Sequence, residues 1–154
     1  MKGLKTVGFG VTVLVVVVFA AVSAGLAMGS SAARPATVAS GSSGLGRIIV
    51  DSRGRTLYLF EKDRQGASAC SGACAVYWPP LLTKGMPIAI KGAKRSLLGS
   101  IRRADGTRQV AYAGHPLYLF SGDTKRGQTN GEGLKDFGAG WYALMPSGKK
   151  IDRD

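Results

Sequence analysis

The sequence predicts an all-β fold: a single small domain of β-hairpins in a meander, with two pseudo-repeats and one short helical turn, behind an N-terminal apolar signal or anchor helix. Three observations carry this. A valine-rich uncharged run occupies the start of the chain. Short β-branched and aromatic runs separated by Gly-containing turns follow from residue 47. A ten-residue segment then recurs at a constant offset.

Residues 1–33 form the first element. Lys2 and Lys5 are the only charges before Arg34, and the apolar run from Val11 to Phe19 extends through Ala20–Met28. Lysines, an apolar stretch and then small residues are the pattern of an export signal. From Val7 to Met28 the run is also about as long as the roughly 20 residues of a membrane span. It therefore reads either as a cleaved signal peptide or as an anchor with its N-terminus inside. The working part is extracytoplasmic in both cases, secreted or tethered. Residues 34–44, rich in Ser, Ala and Gly, read as a flexible linker, and residues 45–154 as the folded domain.

Ile48-Ile49-Val50, the turn Asp51–Gly54 and Thr56–Phe60 predict a hairpin. Its second strand is apolar on both faces, with Leu57 and Leu59 on one and Tyr58 and Phe60 on the other, which suits the inside of a structure. Ser71–Tyr77 predicts the helical turn, with Ser71 able to cap it and Pro79-Pro80 ending it. Leu98–Arg103 and Arg108–Tyr112 flank Asp105-Gly106, a hairpin turn signal. Pro116–Phe120, Trp141–Met145 and a short strand to Ile151 complete the meander.

Residues 54–63 and 114–123 match at six of ten positions, Gly-x-x-Leu-Tyr-Leu-Phe-x-x-Asp, and Trp78 and Trp141 follow the two copies. The repeats run over about residues 47–82 and 98–145. Two copies are too few for a solenoid and imply one pseudo-symmetric domain. Tyr58, Phe60, Tyr118 and Phe120 read as core. Asp63 and Asp123 read as turn residues that stop the strands, or as paired carboxylates meeting at the pseudo-twofold for acid–base or cation chemistry.

Cys70 and Cys74 are the only cysteines. In an oxidising compartment such a pair forms a disulfide; a redox-active pair and a partial metal site are the alternatives. His115 is the sole histidine, an ordinary turn residue or a lone ligand. No cofactor-binding loop, metal cluster or nucleophile elbow is present, which argues against an enzyme and gives no cofactor. The 21 basic residues less Lys2 and Lys5 leave 19 against 9 acidic ones, a net charge of +10 with His115 neutral. Such a surface suits an anionic envelope polymer or lipid surface; export and the lack of a recognition motif argue against nucleic acid.

The doubled Tyr-x-aromatic-x-x-Asp pattern resembles that of a family of bacterial secreted proteins of unknown function, described as predicted lipoproteins. Tyr58-Leu59-Phe60-Glu61-Lys62-Asp63 and Tyr118-Leu119-Phe120-Ser121-Gly122-Asp123 carry it. Cys70–Cys74 leading to Trp78-Pro79-Pro80-Leu81, and Gly127–Gly131 leading to Trp141-Tyr142, are similar to the tails of its repeats. The resemblance covers about Leu45 to Ile151 and implies an envelope location with no assigned activity. Many members carry a lipid-modified cysteine; no cysteine here stands where one would be. The expected role is a non-catalytic binding or structural module of the envelope. A redox or metal-handling protein using Cys70 and Cys74, and a binder of polyanions or anionic surfaces, are the alternatives.

Overall fold

The computed structural model describes residues 34–152 and, before them, only Gly3, Gly8 and Gly10. The signal or anchor assigned to residues 1–33 lies outside the described residues, those glycines apart. The fold below is that of the unit Ser31–Asp154.

Among the described residues of this unit are nine short strands, one α-helical turn and one 3-10 turn, Arg95–Leu97. The strands are β1 (Thr37–Ser43), β2 (Gly46–Asp51), β3 (Tyr58–Phe60), β4 (Ile88–Ile90), β5 (Leu98–Arg102), β6 (Arg108–Tyr112), β7 (His115–Pro116), β8 (Lys135–Asp136) and β9 (Ala139–Ala143), and α1 spans Ala73–Tyr77. They form three three-stranded sheets, ordered β2-β1-β4, β3-β9-β8 and β5-β6-β7. All named pairings are antiparallel except β1 with β4.

Residues 34–44 are not a flexible linker. Residues 37–43 are β1, which pairs with β2 from Val38↔Asp51 to Ser43↔Gly46, and with β4 on its other side. Val38 and Ala39 are buried. At Gly41 the sheet is tight: a Cβ there would sit 3.0 Å from Val50 Cγ1. The folded domain therefore begins near Arg34, not at residue 45. At α1 the N-cap is Gly72 with a φ of 56°, and no side chain bonds the first turn, so Ser71 does not cap it. Positive φ at Gly72 is the left-handed conformation that glycine adopts at no steric cost.

The motif leucine of each copy bonds back to the strand before it, with one residue fewer between the partners in the second copy. Leu57 N donates to Ile49 O at 3.2 Å, and Leu117 N to Val110 O at 2.9 Å. Each returning strand is then paired by the other repeat. β3 lies against β9, with Phe60 opposite Trp141. In the second copy, Leu119 N donates to Pro79 O and Ser121 N to Tyr77 O, so its strand lies against the tail of the first repeat. Tyr58 and Tyr118 meet where the copies cross, each donating its N–H to the other's carbonyl at 2.9 and 3.0 Å. The pseudo-twofold passes between them.

This crossing explains strands that are apolar on both faces. Alternate residues of a strand point to opposite sides. Leu57, Leu59 and Leu117 pack with Val38, Ile49, Val110, Tyr112 and Leu144 in a cluster that is aliphatic apart from Tyr112. Tyr58, Phe60 and Tyr118 enter an aromatic cluster with Trp78 and Trp141. Within it four rings stack in the order Phe60, Trp141, Trp78, Phe120, at centroid separations of 4.0, 3.9 and 4.4 Å. Repeats alternate along the stack. Tyr58 meets Trp78 edge-on at 5.4 Å, and Tyr118 meets Trp141 edge-on at 5.1 Å. Stacked and edge-to-face contacts of this kind contribute about 0.5–1.5 kcal/mol each beyond the area they bury.

Candidate functional site

The doubled motif closes on itself across the repeats. Tyr58 Oη donates to Asp123 Oδ2 at 2.6 Å, and Tyr118 Oη donates to Asp63 Oδ2 at 2.8 Å. Each tyrosine is thus held by the aspartate of the other copy. The second carboxylate oxygen of each aspartate closes its own loop: Asp63 Oδ1 accepts from Ala69 N at 2.7 Å, and Asp123 Oδ1 from Asn130 N at 2.9 Å. The backbone N–H of each aspartate turns back to the motif phenylalanine, Asp63 to Phe60 O and Asp123 to Phe120 O. One residue therefore ends a strand, shapes a loop and fastens the opposite repeat. A hydrogen bond to a charged group contributes about 1.5–3 kcal/mol.

The two carboxylates do not meet. Asp123 is buried beneath Tyr58. Asp63 lines a groove of about 940 Å³ together with His115, Glu61, Met145, Lys150 and Asp152. Among the sequence-derived candidates the structure thus brings Asp63 and His115 to one groove and leaves Asp123 outside it. His115 is half-buried in β7, opposite Tyr112. No group of three or more His, Cys, Asp or Glu side chains arranged to hold a metal occurs among the described residues.

Behind Asp63 stands a buried network. Arg103 Nη1 donates to Ser68 Oγ at 2.9 Å and to Gln109 Oε1 at 2.7 Å, and Nη2 donates to Cys70 O at 2.7 Å. Ser68 Oγ lies 2.7 Å from Tyr118 Oη, and Gln109 Nε2 donates to Leu117 O. These residues connect the first repeat's loop to the second repeat's strands. Sequence reasoning missed them: Arg103 reads as one more surface charge, and only the apolar Val110 and Ala111 that follow Gln109 in its strand hint at burial.

Cys70 and Cys74 form a disulfide with Cα atoms 5.3 Å apart, and both are buried. The loop is short, so the cross-link contributes roughly 2 kcal/mol through the unfolded chain. The native protein is expected to give no thiol titre until it is both unfolded and reduced; a titre from folded protein under mild reductant would contradict a purely structural bridge.

Burial raises the carboxyls of Asp63 and Asp123 above the ordinary carboxylate range. For Asp63 the donors Ala69 N–H and Tyr118 O–H and the charge of Arg103 offset this only in part; for Asp123 the partial offset comes from Tyr58 and Asn130. Burial raises both tyrosines too, Tyr58 and Tyr118, so they remain protonated donors. Burial alone lowers His115. The folded state then keeps the aspartate protons to higher pH than the unfolded chain does. Their stabilisation is complete below the ordinary carboxylate value and is lost as pH rises through the raised folded value. Wild type is expected to gain stability relative to Asp123→Asn as pH is lowered from about 7 to about 4. Chemical denaturation across that range measures it, and a relative loss on acidification would contradict burial as the dominant cause.

A family model described as a secreted repeat of unknown function matches residues 40–82 and 99–145. The chain belongs to this secreted-repeat family. Its two matched segments enclose the two hairpins and their tryptophan-bearing tails, so the family's repeat unit is the half-domain that crosses at Tyr58 and Tyr118. No curated protein and no solved structure matches the chain. The secreted-repeat assignment makes the domain extracytoplasmic, where a Cys70–Cys74 disulfide is stable. Among the described residues, no helix is long and apolar enough to cross a membrane.

Proposed function

We propose that this secreted-repeat protein is a non-catalytic module that binds an anionic surface of the cell envelope, with its apolar N-terminal run serving as an N-in anchor. The observation that supports this most is where the reactive groups lie. Both motif aspartates and both motif tyrosines are committed to fastening one repeat to the other, and both cysteines are closed in a buried bridge. What remains outside is a surface with an excess of basic side chains. Such an excess attracts polyanions over a distance set by the Debye length, about 10 Å at 0.1 M salt and about 3 Å at 1 M.

The test is a titration of the full-length protein, held in neutral detergent, with a soluble poly(glycerol phosphate). Binding at low salt that weakens steeply as salt is raised is expected. No binding at low salt, or binding indifferent to salt, would overturn the proposal.

A further inference from the structure

Among the described residues seven large apolar side chains are exposed: Val76 and Tyr77 on α1, Phe137 beside Tyr77, and four that follow one another in a single stretch. Leu82, Met86, Ile88 and Ile90 are 47, 70, 48 and 40 % exposed and lie within nine residues. Ile88 and Ile90 share one face of β4, because alternate strand residues point the same way. β4 is the outer strand of its sheet, pairing with β1 alone. An apolar outer strand of this kind is a liability unless something covers it.

The same stretch is basic without relief. Between Asp63 and Asp105 the chain has no carboxylate, while Lys84, Lys91, Lys94 and Arg95 intersperse with the apolar residues. Met86 and Ile88 share a recess with Arg95 and Leu98. Leu82 and Lys84 share a second with Arg34 and Arg108.

The chain enters the domain at this face. Ala36 N donates to Thr83 Oγ1 at 3.0 Å, Ile88 N donates to Ala36 O at 2.9 Å, and Thr37 pairs with Ile88. With β1 starting at Thr37, no long linker separates the domain from the apolar N-terminal run, which ends at Met28.

Resting on the proposed anionic-surface function, we propose that the Leu82–Arg95 face docks on an anionic lipid bilayer. Apolar side chains dipping into the headgroup boundary, with cations drawn to anionic lipid around them, are the two terms of interfacial binding. A dissolved polyanion would use the cations but leave Met86, Ile88 and Ile90 in water, which is why lipid is the occupant.

The experiment is amide hydrogen exchange on the full-length protein reconstituted in vesicles of pure phosphatidylcholine or of phosphatidylcholine with phosphatidylglycerol. Amides of residues 84–95 are expected to exchange about tenfold or more slowly on the anionic vesicles. Charge reversal at Lys84, Lys91 and Arg95 together, or Met86→Ser with Ile88→Ser, should abolish that difference. Equal exchange on the two vesicle types overturns the proposal, and this comparison of wild type with itself stands even if a variant misfolds. Protection that appears on neutral vesicles when poly(glycerol phosphate) is added would give the face to the polymer, leaving the broader function intact. Protection that grows with protein concentration in detergent would give it to a second copy of the chain.

Discussion

Trp78→Ala is expected to lower stability by about 3–5 kcal/mol, the range for removing a large buried aromatic. Trp78 is wholly buried and stacks on Trp141 at 3.9 Å with planes 5° apart, on Phe120 at 4.4 Å, and against the edge of Tyr58. It comes from the first repeat, but two of its three ring partners come from the second. The substitution therefore opens a cavity and disconnects the halves together. A domain of this size has only about 5–15 kcal/mol in total, so the variant should be largely unfolded near physiological temperature. Denaturant unfolding followed by near-ultraviolet dichroism measures it. A loss below about 1 kcal/mol would mean that the stack is not the centre of the fold.

Gly131→Val is expected to cost about 1–3 kcal/mol or more by overpacking. A Cβ at Gly131 would lie 2.7 Å from Trp78 Cη2 and 3.0 Å from Tyr58 Cζ. Gly131 N–H also donates to Tyr58 Oη at 3.3 Å, so the backbone must come this close. The space belongs to the junction of ring stack and clasp, and neither ring can retreat without breaking its contact across the repeats. Gly99→Ala is the control: a Cβ there meets nothing within 4 Å, and its effect should stay within about 0.5 kcal/mol. Thermal unfolding of both variants compares them directly, and equal effects would contradict the crowding at Gly131.

Much of this fold was legible in the sequence where local chemistry decides it. The hairpin ending at Phe60 and that formed by β5 and β6 each join alternating or doubly apolar strands by a turn with its own signal, Asp51–Gly54 and Asp105-Gly106. The duplication was legible because a six-of-ten identity at fixed offset needs no structural knowledge. β1 was not, because its pairing partners impose strand structure on Gly, Ser and Ala residues with weak preference of their own. The tightness at Gly41 comes from Val50, a neighbour in the sheet and not in the sequence.

The clasp was half legible. Asp63 and Asp123 were identifiable as turn residues, and they do close turns to Phe60 and Phe120. Their partners were not, because spacing within one copy says nothing of which copy supplies the tyrosine. A Tyr and an Asp five residues apart look like neighbours; the strand crossing at Tyr58 and Tyr118 sends each to the other's partner. Arg103 was hidden for a similar reason. Its guanidinium is buried by contacts from Ser68 and Cys70, more than thirty residues away.

The exchange of partners is the centre of the account, and a set of double-mutant cycles tests it most directly. Tyr58 and Tyr118 are replaced by phenylalanine and Asp63 and Asp123 by asparagine, in the four Tyr–Asp combinations, and unfolding free energies are measured. Coupling of about 0.5–3 kcal/mol is expected across the copies, for Tyr58 with Asp123 and Tyr118 with Asp63. Within a copy, for Tyr58 with Asp63 and Tyr118 with Asp123, coupling should fall below about 0.5 kcal/mol. Coupling confined to pairs within a copy, with none across, would contradict the crossed clasp.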